Sequence, residues 1–293
     1  MLLRRKRSRG KAKGGFSESQ AILRQVRAAL AAGRYDEAEC LAKRGVCATS
    51  DKSMERVVFL NELGMVYKYV GNFAAAERSY REALSSCELL DASSDGNVAA
   101  ILHNLAGLAH ARGDADVAED LARQGIAVRE ALSDNAPGDL IADYAALAAI
   151  LIDGGNFDEA RRLLEIALSH LEGRGGPESQ GIAIALHNLG SLQYRMGISK
   201  AARDTLERAL CMKIAVLGET HPDVAITLHN LGCCLQSLGD KVAAVEKFTK
   251  AVNILEGRVL DDHPTLTSCR EKRNLERCSS TGERPVCIDG NAA

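Results

Sequence analysis

The sequence predicts an all-α fold, a right-handed α-solenoid of about six helix pairs followed by a C-terminal cap helix. Three observations predict it: glycines recur at a nearly constant interval, small residues recur at fixed offsets from them, and prolines stand only outside the helical patterns. No strand-like alternation of β-branched residues persists along the chain. With 46% hydrophobic but only 4% aromatic residues, the composition suits many thin helices packed closely together.

The repeat is defined by its glycines. After a first interval of 38 residues they recur every 42 residues, at Gly33, Gly71, Gly113, Gly155, Gly197 and Gly239. We expect each glycine to end the first helix of a pair, because a left-handed C-cap costs least without a side chain. An alanine follows each glycine by five residues, and another small residue follows it by twelve. These small residues are expected where two helices approach closely.

Larger side chains complete the pattern. The last five glycines are preceded, seven residues earlier, by a small residue, and directly before it stands a leucine expected to be buried: Leu63, Leu105, Leu147, Leu189 and Leu231. Bulky residues are expected to fill the second helices at Tyr80, Leu164, Leu206 and Phe248. Repeat 1 is short and has Gln25 in the leucine register, and repeat 4 reads YAALAAIL at 144–151, without the usual polar residues.

This order of small residue, glycine turn, alanine, bulky residue and second small residue resembles the tetratricopeptide signature. The phrases LHNLGSLQYRMG and LHNLGCCLQSLG, with GETHPDVA and LDDHPTLT after them, resemble the kinesin light chain and nephrocystin-3 type of these repeats. The resemblance covers about residues 20–278 and implies the binding of a peptide-like segment. The heptad segment and the acidic linker of kinesin light chains are not evident, so a motor-subunit role is not expected.

Four segments are expected along the chain. Residues 1–17 should form a basic disordered tail, and residues 18–264 the domain of six helix pairs. Residues 265–278 continue the helical pattern but are strongly charged, as expected of a cap helix that ends a stack. Residues 279–293 lack a sustained apolar stripe and should be disordered.

The charge distribution and the cysteines bear on location. The first fifteen residues carry seven of the 37 basic residues and none of the 39 acidic ones. The segment RRKRSRGKAK (4–13) is typical of a nuclear import signal or basic arm, and a solvated tail or an organellar presequence is the alternative. Nine cysteines without paired metal spacing, and no secretory signal, indicate a reducing compartment. We expect a cytoplasmic protein, with a nuclear or organellar location as alternatives, and no apolar run approaches the roughly 20 residues that cross a bilayer.

A recurring tetrapeptide indicates the candidate binding surface. Leu-His-Asn-Leu occurs at 102–105, 186–189 and 228–231. If the leucines are buried, the His and Asn side chains turn toward one side of the first helix, and first helices line the concave surface in this architecture. The predicted partner-binding groove comprises His103, Asn104, His187, Asn188, His229, Asn230, Tyr194, Arg195, Lys68 and Gln236. His110, Asp153 and Tyr69 share the same groove-facing register.

Two roles are open for Asn104, Asn188 and Asn230. An amide both donates and accepts, so it can bond both backbone groups of an extended ligand. The resemblance adds that asparagine at this register contacts peptide backbone in the kinesin light chain type. The alternative is that these amides bond the adjacent helix and maintain the repeat spacing. A metal site is not predicted, because helices about 10 Å apart keep successive histidines too distant to share zinc at about 2 Å each.

The sequence carries no catalytic constellation. It has neither a Walker A loop nor a G-x-S-x-G elbow, and its glycine clusters end helices instead of following strands. We therefore expect no enzyme activity and no cofactor. The predicted function is a protein–protein interaction scaffold or adaptor that binds a protein or peptide segment, with no small-molecule substrate, nucleic acid or membrane insertion expected. The alternative is a permanent structural subunit of a ciliary, cytoskeletal or organellar assembly.

Overall fold

The structure is a computed structural model that describes residues 18–91, 96–132, 137–172 and 180–281. The predicted basic tail and most of the predicted C-terminal tail lie outside these ranges. Within them the chain is all-α, and its helices are α1 (Glu18–Ala31), α2 (Tyr35–Ala48), α3 (Met54–Val70), α4 (Phe73–Leu89), α5 (Gly96–Arg112), α6 (Ala115–Ala131), α7 (Pro137–Asp153), α8 (Phe157–Glu172), α9 (Gln180–Arg195), α10 (Ser199–Leu217), α11 (Pro222–Ser237), α12 (Lys241–Leu255) and α13 (Pro264–Thr281).

The helices pack as six consecutive pairs, from repeat 1 (α1 and α2) to repeat 6 (α11 and α12), with α13 against the last pair. Each odd-numbered helix also contacts the odd-numbered helix of the next repeat, whereas the even-numbered helices pack mainly on their neighbours in sequence. The odd-numbered helices are therefore on the inside of a curved stack, because the inner helices of such a stack lie closest together. This is the predicted solenoid, with the first helix of each pair on the concave side.

The predicted glycine turns are present in all six repeats. The backbone φ is positive at Gly33, Gly71, Gly113, Gly155, Gly197 and Gly239, with values of 65°, 93°, 84°, 82°, 79° and 83°. At Gly71 the left-handed residue ends α3, and its N–H donates to the carbonyl of Lys68 at 3.1 Å. The side chain of Asn72 then accepts from the backbone N–H of Ala75 at 3.2 Å, which caps α4. The chain thus reverses direction within two residues.

Small and bulky residues match each other within a pair. A Cβ atom added at Gly64 would lie 2.4 Å from the ring of Tyr80, which is fully buried. The same relation, sixteen residues apart in sequence, joins Gly190 to Leu206 and Gly232 to Phe248, in each case at 2.6 Å. The absence of a side chain on the inner helix therefore makes the space that the large side chain of the outer helix fills.

The leucine stripe is buried as predicted at four of its five positions. Leu63, Leu105, Leu147 and Leu231 are buried, whereas Leu189 is half-buried. Close packing also crosses from one pair to the next, since a Cβ atom at Gly45 would lie 2.3 Å from the ring of Phe59. These contacts join the pairs through shared apolar clusters.

The last helix is longer than the predicted cap segment 265–278. It begins at Pro264 and continues to Thr281. Leu266 and Cys269 are fully buried in the apolar cluster of repeat 6. The helix therefore covers the face of the last pair with a few apolar residues and presents its charged residues elsewhere.

The two ends of the stack also contact each other, which the sequence pattern does not predict. A Cβ atom at Gly33, in the turn of repeat 1, would lie 2.8 Å from Cδ of Pro222, at the start of α11. The backbone N–H of Leu260, before α13, donates to the carbonyl of Val70, at the end of α3, at 2.8 Å. Val259 packs against the apolar clusters of both ends. The superhelix therefore closes on itself after about one turn.

Candidate functional site

Several hollows lie along the concave surface, and two of them contain most of the predicted groove residues. The central hollow, of about 550 Å³, extends across α5, α7, α9 and α11 to the start of α13. Six of the predicted groove residues line it: His187, Asn188, Tyr194, Arg195, His229 and Asn230. The N-terminal hollow, of about 380 Å³, lies across α1, α3, α5 and α7 and is lined by His103 and Asn104. The structure thus brings eight of the ten predicted residues to the concave side, in two groups.

The other two predicted residues, Lys68 and Gln236, line neither hollow. The Lys68 ammonium lies 5.5 Å from the ring centroid of Tyr69, within the range of a cation–π interaction. Burial lowers the pKa of Lys68, and the negative charge of Asp223 on α11 acts in the opposite direction. Lys68 is therefore part of the region where the two ends of the stack meet.

Each asparagine of the Leu-His-Asn-Leu motif bonds the preceding repeat. The pairs are Asn104 Nδ2 to Oδ1 of Asn61 at 3.0 Å, Asn188 Nδ2 to the carbonyl of Ala145 at 2.8 Å, and Asn230 Nδ2 to Nε2 of His187 at 3.3 Å. In every pair the partner stands 43 residues earlier, which is the repeat length of 42 residues plus one. The amides thus make the inter-repeat bonds of the alternative role, and binding of peptide backbone by these residues stays a prediction. Repeat 4 has alanine at this register, so there the acceptor is a backbone carbonyl.

His187 is held as a neutral ring by its neighbours. Since the amide of Asn230 donates to Nε2, the network places the ring hydrogen on Nδ1, which donates to Oγ1 of Thr227 at 3.1 Å. The Thr227 hydroxyl in turn donates to the carbonyl of Asp223 at 3.3 Å. Burial lowers the pKa of His187 well below its ordinary value, and the charge of Lys213 lowers it further. This histidine connects repeats 5 and 6 and carries no charge at neutral pH.

Asn230 has its remaining groups engaged as well. Its second amide hydrogen is donated to Oγ of Ser191 at 3.0 Å, and its Oδ1 accepts from Nδ1 of His229 at 3.2 Å. The other ring nitrogen of His229 accepts from the hydroxyl of Ser268 on α13 at 3.0 Å. Burial lowers the pKa of His229. The network runs from α9 to α13 and leaves Asn230 no donor for a ligand.

His103, the histidine of the first Leu-His-Asn-Leu motif, pairs with an acid of the next repeat. Nδ1 of His103 lies 2.7 Å from Oδ1 of Asp143 on α7. Asp143 and Arg129 are both buried and form an ion pair that joins α6 to α7. A second buried acid, Glu62, pairs with Arg27 of α1 at 2.6 Å. The N-terminal hollow is therefore lined by charges that are already paired.

Tyr194, Arg195, His110 and Asp153 supply further polar groups to the central hollow. Nε2 of His110 lies 2.7 Å from Oδ2 of Asp153, and this hydrogen bond lowers the pKa of the Asp153 carboxyl. Arg195 is exposed and donates one N–H to the carbonyl of Asp153 at 3.2 Å. A guanidinium has five N–H donors, so several remain for a ligand. These four side chains give the hollow a mixed charge.

Some contributors could not be identified from the tetrapeptide alone. Asn61 and Glu62 stand 42 residues before His103 and Asn104, so an alignment of the repeats would have placed them on the same surface. Ser191 and Thr227 have no such signal in the sequence, because their role depends on side chains one repeat away. No group of three or more His, Cys, Asp or Glu side chains that could bind a metal ion occurs among the described residues. None of the helices in this part of the chain has the length and apolar character to cross a membrane.

Two solved structures with TM-scores of 0.50 and 0.58 have the same kind of fold. The chain is similar to BtubC (BKLC) from P. vanneervenii, with 21% identity over 93% of this chain and 97% of that one and a TM-score of 0.50. It is similar to a kinesin light chain protein of Podosopora anserina with nearly identical TPR-like repeats, with 19% identity over 68% and 98% of the two chains and a TM-score of 0.48. The chain is also similar to a Rap protein complexed with Competence and Sporulation Factor. The identity is 16% over 90% of this chain and 88% of that one, and the TM-score is 0.58.

No curated protein matches the sequence. The tetratricopeptide repeat family matches residues 55–131 and 140–215, which together are more than half of the chain. The match agrees with the glycine turns, the small and bulky residue pairs and the stack of helix pairs described above. The chain belongs to the tetratricopeptide repeat family.

Proposed function

We propose that this protein is an interaction scaffold that holds a segment of a partner protein, or a peptide, in its concave groove. The observation that carries the proposal is the central hollow, which is continuous across four inner helices and has a volume of about 550 Å³. An elongated hollow suits an extended or helical segment better than a compact substrate. Proteins of this repeat family are interaction modules, and the Rap protein of the same fold is described with a bound factor.

The chemistry of the hollow favours a segment with both polar and charged groups. Arg195 is exposed and keeps spare N–H donors, and Tyr194 lines the same space. Next to Arg195, Asp153 supplies a carboxylate acceptor and His110 an imidazole ring. The motif asparagines contribute less directly, because their amides hold the inner helices together.

The test is a selection of random linear peptides displayed on phage, followed by affinity measurement with groove variants. Arg195→Ala and Tyr194→Ala should each weaken binding of a recovered peptide roughly tenfold or more, as expected for anchor residues that a bound peptide covers. The matched control is Arg81→Ala on the outer helix α4, whose side chain is 73% exposed. This control should bind like the wild type.

Two results would contradict the proposal. If the selection recovers no peptide that competes for the groove, segment binding fails, and a permanent place in a larger assembly becomes the better explanation. If Arg81→Ala weakens binding as much as Arg195→Ala, the peptide binds outside the groove. Asparagine variants are unsuitable for this test, because loss of Asn188 or Asn230 also removes a bond between repeats.

A further inference from the structure

The contact between the ends of the stack occurs twice in the same way. In repeat 1 the turn at Gly33 meets Pro222, and in repeat 2 the turn at Gly71 meets His263, whose Cδ2 would lie 3.3 Å from an added Cβ atom. Both partners belong to His-Pro loops, at 221–222 and 263–264. In repeats 3 to 6 the equivalent glycines have nothing within 4 Å of such an atom. Two consecutive turns thus meet two consecutive loops.

Several interactions hold this region together. The hydrogen bond from Leu260 to the carbonyl of Val70 crosses the contact, and the apolar side chain of Val259 packs against both ends. Tyr35 and Tyr69 stack beside it with ring centroids 5.6 Å apart and an interplanar angle of 2°. Burial raises the pKa of both phenols, and the negative charge of Asp223 on α11 raises it further. The effect of Asp223 agrees with the position of both rings against repeat 6.

The contact has few bonds compared with the packing between successive pairs. Only one backbone hydrogen bond crosses it in the described part of the chain, whereas successive helices share extended apolar clusters. In a repeat stack each unit is stabilised mainly by its neighbours. The ends can therefore separate while every helix pair stays folded, and small differences in stability decide how often they do.

We propose that this contact, formed by Gly33, Gly71, Val259, Leu260 and the two His-Pro loops, is a latch that closes the superhelix around its groove. The inference rests on the proposed function, since it concerns entry to the same groove. With the latch closed, a partner segment enters only by threading a free end along the axis. With the latch open, an internal or looped segment can enter from the side. The stability of the latch therefore sets the rate at which such partners bind.

Two glycine variants separate latch opening from backbone strain. Gly33→Ala and Gly155→Ala both place alanine at positive φ, 65° and 82°, but only the first meets a neighbour, at 2.8 Å from Pro222. The backbone N–H of Leu260 reports the state of the latch by hydrogen exchange. We expect exchange at Leu260 to be about tenfold faster in Gly33→Ala than in Gly155→Ala. Small-angle scattering should show a larger radius of gyration for Gly33→Ala alone.

A second variant protects the test against misfolding of the first. Val259→Asp places a charge in the apolar part of the contact and leaves all turn glycines in place, so it should also speed exchange at Leu260. Equal exchange at Leu260 in wild type, Gly33→Ala and Val259→Asp, with unchanged scattering, would show that the latch does not open or does not exist. Circular dichroism confirms that the helices persist in each variant.

The gating role is tested with a peptide recovered from the phage selection, in linear and in head-to-tail cyclised form. The wild type should associate at least several-fold more slowly with the cyclic form, and Gly33→Ala should remove most of that difference. Equal association rates of both forms with the wild type would overturn the gate. If no peptide is recovered, the proposed function fails and the gate fails with it, whereas the exchange data still decide whether the latch opens.

Discussion

The side-chain amide of Asn230 donates to Nε2 of His187, 3.3 Å away and one repeat earlier. This bond joins α11 to α9 on the concave surface and gives the histidine its tautomer, so two residues of the same tetrapeptide act as partners across repeats. The equivalent bonds of Asn104 and Asn188 reach the same register of their preceding repeats. The concave face is thus a surface of inter-repeat bonds as well as a candidate binding site.

Asn230→Ala should destabilise the protein. The substitution removes the partners of His187, Ser191 and His229 together, and buried polar groups left unpaired cost about 1–3 kcal/mol. Urea unfolding followed by circular dichroism measures the loss. Asn253→Ala, at an exposed position of α12, is the control and should unfold at the wild-type urea concentration. Equal midpoints for the two variants would show that the network contributes nothing to stability.

The stability of the protein should fall in mild acid, in part through His187. Burial holds the pKa of His187 well below its ordinary value, so the folded chain keeps the ring neutral. The unfolded chain takes up the proton as the pH falls through about 6.5, and it then binds more protons than the folded chain. The contribution of His187 is therefore complete above that pH and is lost progressively below it.

Urea midpoints at about pH 7.5 and about pH 5.5 bracket this range. The wild type should lose more stability between them than His187→Gln does. His229 and His263 also have a pKa lowered by burial, so the variant should keep part of the dependence. His170→Gln, on the outer helix α8, serves as the control and should behave like the wild type. An unchanged pH dependence in His187→Gln would contradict the assignment.

Gly64→Ala should be destabilising and should be rescued by a smaller partner. The new methyl group would lie 2.4 Å from the buried ring of Tyr80, and overpacking of this kind costs about 1–3 kcal/mol. Repeat 4 has the pair Ala148 and Leu164 at the same two positions. Gly64→Ala combined with Tyr80→Leu should therefore recover stability, helped by loss of a Tyr80 hydroxyl that has no hydrogen-bond partner among the described residues.

A double-mutant cycle on thermal unfolding measures this coupling. The expected result is a double variant more stable than Gly64→Ala alone. If the two substitutions are simply additive, the ring of Tyr80 moves aside at no cost and the size match is not a constraint.

Asp143→Ala should cost more than the loss of an exposed ion pair. Asp143 and Arg129 are both buried, and removal of one partner leaves the other charge uncompensated, at about 3–5 kcal/mol. Glu119→Ala breaks an exposed pair with Arg123 and should cost less than about 1 kcal/mol. Parallel urea titrations compare the two variants. Similar losses would mean that water reaches the Asp143 pair.

The turns and the core were predictable because they depend on spacing within one unit. Only glycine adopts a positive φ readily, so Gly71 and its equivalents mark each turn in the sequence. The fit of Gly64 to Tyr80 follows from residues sixteen positions apart. The face on which Asn188 and His187 lie was also predictable from the helical register of the buried leucines.

The direction of the amides and the closure of the stack could not be predicted in the same way. Whether Asn188 bonds a ligand or the carbonyl of Ala145 depends on the separation of two inner helices, which the register does not specify. The contact of Gly33 with Pro222 depends on rotation accumulated over five repeats. A small change in the rotation between successive repeats would move Gly33 and Pro222 apart without altering any local sequence pattern.

The match between Gly64 and Tyr80 also bears on how such a chain can change over evolution. Both members of each small and bulky match within a helix pair belong to the same repeat unit, as Gly190 with Leu206 and Gly232 with Phe248 also do, whereas Gly45 and Phe59 match across two repeats. Duplication or deletion of a whole unit therefore carries the match within its helix pair with it, whereas recombination in the middle of a unit can join an aromatic partner such as Tyr80 or Phe248 to an alanine. Gene rearrangements at unit boundaries are the ones this architecture tolerates.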